Sequence, residues 1–390
     1  MPLLSGRHHI VVPCSPGIAP YLSAEIRSLG LPVLRELTTS IETKGDFSQA
    51  LALNLELRCG QRVLWRLAAF TAADADALYQ NLLPLPWEEL IPADGYFSIT
   101  SIVDNPTIRD NRFANLRVKD AIVDRLRRVL GRRPDSGPRR DRLVFYLFWK
   151  DDGVRIYLDT SGPTLARRGY RLDPGKAPLR ETLAAALIQA SGWEGKGSFV
   201  NPMCGSGTLA IEAVLRARNL APGLLRESYS FQFLKDYDSR NWRTLKAAAR
   251  RRARPDRRLR VIATDIDPAM IALARENAAR AGVAEAIEFQ VCDFAETPVP
   301  PGGGVVLCNP EYGSRLGEEE ELKGLYRRLG DFLKQRATGY QAFIFSGNPA
   351  LMREVGLKPE QKLKFDNGGI ACELAAYPLY AGSRVISYKL

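Results

Sequence analysis

Histidine is almost missing: the 390 residues hold two, the neighbours His8 and His9. A Ser-His-Asp triad, a His-ligated metal or a histidine general base therefore has little to be built from. The six cysteines, Cys14, Cys59, Cys204, Cys292, Cys308 and Cys372, never fall in Cys-x-x-Cys spacing. That argues against a zinc ribbon or a disulfide framework and for reduced, mostly buried thiols, with no metal expected. No stretch approaches the roughly 18 to 20 apolar residues of a membrane span, and the opening residues lack the charged-then-apolar order of a signal peptide. A soluble, cytoplasmic chain with no membrane partner is the expectation. Internal repeats are absent as well, and the run Arg250 to Arg260 is the nearest thing to low complexity.

What is present is apolar material and positive charge. A hydrophobic content of 45% over this length supports two or three domains with their own cores. The 55 Lys and Arg against 44 Asp and Glu leave a net charge of +11, which favours a polyanionic partner. The excess is uneven. Arg109 to Arg142 holds twelve basic and five acidic residues, and in Arg250 to Arg260 seven arginines meet the single acid Asp256. Either stretch alone reads equally well as a solvated helix face or charged loop.

The pattern changes near residue 165. Before it, a strand at His9 to Pro13, a helix at Ala19 to Leu29 and a buried run from Val63 to Phe70 suggest a small α+β unit. Phe97 to Ile102 alternates as a half-buried strand, Ala114 to Leu130 reads as an amphipathic helix, and Leu143 to Trp149 and Val154 to Asp159 pair through the turn Asp151-Asp152-Gly153. After a Gly/Pro-rich connector, Arg167 to Pro178, strands and helices alternate to the end, the signature of a doubly wound parallel sheet, with an antiparallel pair around Asp366-Asn367-Gly368-Gly369 closing it. The expected domains are 1–165 and 166–390.

In such a sheet ligands bind beyond the carboxyl ends of the strands, so the residues just after each apolar run carry the chemistry. Asn201-Pro202-Met203-Cys204-Gly205-Ser206-Gly207-Thr208 follows one run, and its glycines let backbone approach a ligand while the next helix aims free N–H groups at a carboxylate. Asn309-Pro310-Glu311-Tyr312 follows another, where the asparagine and the proline carbonyl are acceptors suited to an NH2 group. The pair suggests a methyl donor site facing an amine acceptor. Asp265, ending a third strand, suits the two hydroxyls of a ribose, and Asp293 an adenine amino group; their neighbours Ile266 and Phe294 join the donor-site candidates. A plain capping role is the competing reading of Asp265, and an ordinary loop position that of Asp293.

These motifs resemble the THUMP-containing class I S-adenosylmethionine-dependent RNA guanine 2-amino methyltransferases, in the branch acting on bacterial large-subunit ribosomal RNA. The similarity runs through Pro13 to Gly17, Val118 to Asp124, Asp159 to Gly162, Arg168 to Arg171, Ala177 to Ala184, Met203 to Thr208 and Gly368 to Leu374. It implies a ferredoxin-like plus THUMP RNA-binding half before a Rossmann-like methyltransferase half, with S-adenosylmethionine as donor and RNA, ribosomal rather than transfer, as partner. Asn201 and Met203 to Thr208, with Asp265, Ile266, Asp293 and Phe294, would hold the donor, and Asn309 to Tyr312 the base. Arg117, Lys119, Arg125, Arg128 and Arg168 would contact RNA phosphates. The family has Asp where this chain has Asn201, and a second proline where it has Glu311, so this acceptor turn is freer and more negative. Methylation of a transfer RNA guanosine, adenine 6-amino methylation of DNA, and an RNA-binding or assembly role without efficient turnover remain as alternatives; a nicotinamide dehydrogenase fits worse.

Overall fold

The structure, a computed structural model, describes residues 3–108, 110–171, 179–313 and 319–380. Arg109, and residues 172–178 of the connector with the matched Ala177 and Pro178, lie outside the described residues. In chain order the elements are β1 (His8–Pro13), α1 (Ala19–Ser28), β2 (Val33–Leu37), β3 (Ser40–Gly45), α2 (Phe47–Glu56), β4 (Leu64–Thr71), α3 (Ala75–Leu82), β5 (Tyr96–Asp104), α4 (Asn111–Leu130), β6 (Asp135–Ser136), β7 (Leu143–Lys150), β8 (Gly153–Asp159), α5 (Glu181–Ala190), β9 (Ser198–Pro202), α6 (Thr208–Ala217), α7 (Ser239–Arg252), β10 (Arg260–Asp265), α8 (Pro268–Arg280), β11 (Ile287–Val291), β12 (Gly304–Cys308), α9 (Glu319–Arg336), β13 (Tyr340–Ser346), α10 (Pro349–Glu354), β14 (Gln361–Asn367) and β15 (Ile370–Pro378). Two compact units result. One comprises Met1–Cys14, Leu22–Arg167 and Pro222–Arg251, the other Ser15–Tyr21, Arg168–Ala221 and Arg252–Leu390.

The first unit is built on a sheet ordered β2-β3-β1-β4-β8-β7-β5-β6 among the described residues. Its β1, β3, β4 and β8 pair antiparallel, whereas β5 lies parallel to β7 with α4 crossing between them. α4 starts where the Asp110 carboxylate caps the Arg112 N–H and stops at Gly131, whose φ of +66° supplies the left-handed residue of a C-cap. Trp65, Trp87, Phe97, Phe145 and Trp149 fill the core. Within the same unit the returning segment 222–251 packs Trp242 edge-on against Tyr229 and Phe231.

The second unit carries the sheet β11-β10-β9-β12-β13-β15-β14. β11, β10, β9, β12 and β13 run parallel; β15 pairs antiparallel with β13 and with β14. Burial on both faces explains the nearly unbroken apolar runs of β9, β12 and β13. The chain passes from β9 outward to β10 and β11, then returns to β12 on the other side of β9. That reversal opens a crevice at the carboxyl ends of β9 and β12. Segment 15–21 belongs to this unit: Asp366 N–H donates to the Pro16 carbonyl at 3.1 Å, and a Cβ on Gly17 would collide with the Lys364 carbonyl.

Candidate active site

Asn201, the penultimate residue of β9, is buried, and its Nδ2 donates to the Leu307 carbonyl of β12 at 2.8 Å. Its Oδ1 is buried without a hydrogen-bond partner among the described residues. Met203 then takes φ of +52°, an uncommon conformation for a residue with a side chain, and Gly205 and Gly207 take +53° and +80°. The loop is fixed by its backbone. Cys204 N–H donates to the Thr264 carbonyl at 2.9 Å, Gly205 N–H to Asp265 Oδ2 at 2.8 Å, and buried Asn277 donates to the Ser206 carbonyl at 3.1 Å. A Cβ on Gly205 would meet nothing, so that glycine faces open space. A Cβ on Gly207 would lie 2.9 Å from Ala274 Cβ, so that glycine lets the start of α6 pass close to α8. Thr208, the first residue of α6, accepts from Arg171.

Asp265 does more than cap. Oδ2 accepts from Gly205 and Oδ1 from the Asp267 N–H at 3.1 Å, which leaves each oxygen a further lone pair. The helix cap of α8 falls to Asp267, which accepts from Ala269 N–H. Ile266, 69% exposed, and Val291, 48% exposed, leave an apolar edge beside it. Asp293 accepts from Ala295 N–H at 2.9 Å and from the Arg328 guanidinium at 2.8 Å on both oxygens. Burial alone would push its carboxyl up; the Arg328 hydrogen bonds, the Ala295 N–H and the Arg328 charge outweigh it and hold the group below the usual carboxylate range. Phe294, a donor-site candidate, keeps its ring inside the fold. It is buried in the core, edge-on to Phe332, with Arg328 5.0 Å above it.

After β12, Asn309 Oδ1 is also buried and without a partner among the described residues. The turn around it is held from three sides. Pro310 is buried, Tyr326 of α9 donates to the Glu311 carbonyl at 3.3 Å while bonding Ser346 at 2.9 Å, and Asn367 donates to the Tyr312 hydroxyl at 2.8 Å. The half-buried Tyr312 ring lies against Gly347, where a Cβ would come within 2.8 Å of it. Burial pushes the Tyr312 hydroxyl up to about 12, so it stays protonated at ordinary pH. The Glu311 side chain is exposed, with no partner among the described residues. Sequence reading missed Asn277, Tyr326, Arg328, Ser346 and Asn367. Only Asn367 carried a local signal, and it read as a turn.

The RNA-contact candidates divide. Arg128 is exposed at the end of α4. Arg117 pairs with Asp76 at 2.6 Å and lies over the Tyr79 ring, Arg125 pairs with Glu88 at 2.5 Å, and Lys119 pairs with Asp120 at 2.9 Å. Arg117 and Arg125 are engaged inside their own unit because α4 lays them against α3 and the 87–89 turn, whereas the partner of Lys119 is its neighbour on α4 itself. Arg168 is a correction outright. It is 1% exposed, with its guanidinium 3.4 Å from buried Glu212, to which the Tyr170 hydroxyl also donates. It braces the underside of α6 and cannot reach a phosphate.

A doubly wound sheet with a tight glycine loop after one strand and an acceptor turn after its neighbour defines the class of S-adenosylmethionine-dependent methyltransferases. The described residues fit that donor: the open backbone at Gly205, the unpartnered Asn201 oxygen, the free lone pairs of Asp265 and the apolar edge at Ile266 offer partners for its charged and polar ends and its ring. Family models agree and go further. Residues 168–376 match the RMKL-like methyltransferase domain, 9–64 the RlmL ferredoxin-like domain and 72–159 the THUMP domain, and the chain belongs to the RMKL-like methyltransferase family. The Psychromonas ingrahamii ribosomal RNA large subunit methyltransferase K/L is 40% identical over 94% of this chain and 49% of its own length. A possible methylase from Clostridium difficile 630 superposes with a TM-score of 0.88 at 31% identity, over 97% of this chain and 100% of that one. SMU.472, solved in complex with SAH, gives 0.88 at 26% identity, over 97% and 100%. The chain spans about half the length of the K/L methyltransferases it matches. Among the described residues no cluster of His, Cys, Asp and Glu suits a metal ion, and no helix is long and apolar enough to cross a membrane.

Proposed function

We propose that this chain transfers the methyl group of S-adenosylmethionine to the exocyclic 2-amino group of a guanosine in structured RNA, with large-subunit ribosomal RNA as substrate. The observation that carries the reading is the buried, unpartnered Oδ1 of Asn309 on a turn fixed by Tyr326, Ser346 and Asn367. A buried acceptor left without a donor costs about 1–3 kcal/mol, and an amine N–H would satisfy it. The name of the Psychromonas relative supports ribosomal RNA, and the THUMP match supports RNA over DNA.

When bound, S-adenosylmethionine supplies a sulfonium methyl. Asn309 Oδ1 and the Pro310 carbonyl accept the two amine N–H groups, which draws the nitrogen lone pair out of the ring and toward the donor. Tyr312, pinned at its hydroxyl, presents its ring as a wall for the base. Asp265 takes the ribose hydroxyls on its remaining lone pairs, and Asp293, oriented by Arg328, takes the adenine amine. The amine nitrogen bonds the methyl as the S–CH3 bond breaks to leave a neutral thioether, and the cationic nitrogen then releases its extra proton to water. That exchange needs placement more than acid or base, and placement alone supplies roughly 7–11 kcal/mol at its best. The base must leave its stack to reach the turn, at a few kcal/mol that phosphate contacts offset. Mass-spectrometric mapping of large-subunit ribosomal RNA treated with the purified chain and donor is expected to show a monomethylated guanosine at N2. Methylation found only on adenine, or only in DNA, would overturn the assignment.

A further inference from the structure

The sequence stretch richest in arginine has no part in the site above. Its first residues end α7, whose fourteen residues include six basic and no acidic ones. One face of α7 buries Trp242 and Ala249, with Trp242 in an aromatic cluster with Tyr229 and Phe231. At helical spacing Arg240 and Arg251 lie opposite that face, Arg243 and Arg250 on its flank, and Lys246 beside Trp242. Arg240 pairs with Asp238 at 2.6 Å, and Lys246 lies 5.8 Å from the Trp242 ring centre. Arg243, Arg250 and Arg251 are exposed and have no ion pair among the described residues. Farther along the same stretch, Arg257 donates to the Ala217 carbonyl at 2.9 Å and serves the fold of the other unit.

Like charges three and four residues apart destabilise a helix, and here no carboxylate on the helix offsets them. α4 shows the contrast. Its Arg117, Lys119 and Arg125 each have an acidic partner, so that helix offers less free charge than its sequence suggests. We propose that the α7 face formed by Arg243, Arg250 and Arg251 is a phosphate-contacting surface for the RNA substrate. Guanidinium groups suit phosphate oxygens bidentately, and a row of them along a helix matches the repeating charge of an RNA strand. This inference rests on the RNA reading above.

The test is a full-length variant carrying Arg243→Gln, Arg250→Gln and Arg251→Gln, titrated with a transcribed large-subunit ribosomal RNA fragment over a salt series. The logarithmic slope of affinity against salt is expected to become shallower by about one per arginine removed, and affinity at low salt to fall by roughly tenfold or more. Arg→Lys at the same three positions is expected to keep the slope. Donor affinity by calorimetry, and single-turnover transfer at saturating RNA, are expected to stay at the wild-type level in both variants. An unchanged slope in the glutamine variant, with a wild type that binds RNA in a salt-dependent way, overturns the α7 surface alone. A wild type that binds anionic vesicles or acidic protein but not RNA overturns both this surface and the proposed function.

Discussion

Two asparagine oxygens, Asn201 Oδ1 and Asn309 Oδ1, are buried without partners among the described residues at the ends of adjacent strands, and in the proposed function each accepts from a ligand. Their tests separate donor from acceptor. Asn309→Ala is expected to slow single-turnover methyl transfer by about 10²–10³, as loss of a positioned polar group does, while calorimetric donor affinity stays the same. Glu311→Pro is expected to hold or raise the rate, because the Glu311 carbonyl keeps its bond from Tyr326, the turn stiffens, and an exposed charge leaves the vicinity of the base. Loss of transfer in a folded Glu311→Pro variant would give the carboxylate an acceptor role of its own. Asp293 supplies a pH signature. Its carboxyl is held below the ordinary value by Arg328, so the pair contributes stability above about pH 4 and loses it as pH falls through the lowered value. The stability gap between wild type and Arg328→Ala, followed by thermal melts, is therefore expected to be constant from roughly pH 5 to 7 and to shrink below about 4. A gap that widens in acid would contradict the pairing.

Among the elements, the loop between β9 and α6 separates two uses of glycine. Gly205 and Gly207 both take positive φ, at a cost of about 1–2 kcal/mol for any L side chain, but only Gly207 also abuts a neighbour, Ala274 of α8. Gly207→Ala is expected to lower the melting temperature more than Gly205→Ala, and Gly205→Ala to weaken donor binding at smaller cost to stability; melts and calorimetry on the two variants decide it. This loop was legible in the sequence because its glycines and its flanking strand and helix are contiguous. So was the β7–β8 hairpin, whose turn begins at Asp151 with φ of +52°. What holds the site was not legible. Asn367 reaches Tyr312 across 55 residues and Arg328 reaches Asp293 across 35, and spacing along the chain carries no trace of either contact. α7 escaped for a different reason: Trp242 and Ala249 are its only buried residues, too few to give a helical period, so the sequence reading placed no helix there. The return of residues 222–251 to the first unit was equally silent, since a boundary near residue 165 is all that a local change of pattern can mark.

At the scale of the molecule, the scarcity of titratable bases shapes how the reaction responds to pH. The two histidines lie on β1 in the first unit, and neither belongs to the sheet that carries the crevice. Burial holds the Tyr312 hydroxyl at about 12 and raises the thiols of Cys204 and Cys308, so none of these groups loses a proton at ordinary pH. Guanine's exocyclic amine is neutral and needs no deprotonation before it attacks a sulfonium methyl. Catalysis by placement therefore leaves no ionisation to control the rate, unlike a general base poised near neutrality. The single-turnover rate at saturating donor and RNA is expected to vary by no more than roughly twofold between pH 6.5 and 8.5, whereas a histidine-type base would impose a rise of up to tenfold per unit below its midpoint. A bell-shaped profile, or a limb of unit slope in that window, would show that a base acts on the amine. The first residue to examine then is Glu311, the exposed carboxylate on the acceptor turn, and loss of the limb in Glu311→Gln would identify it.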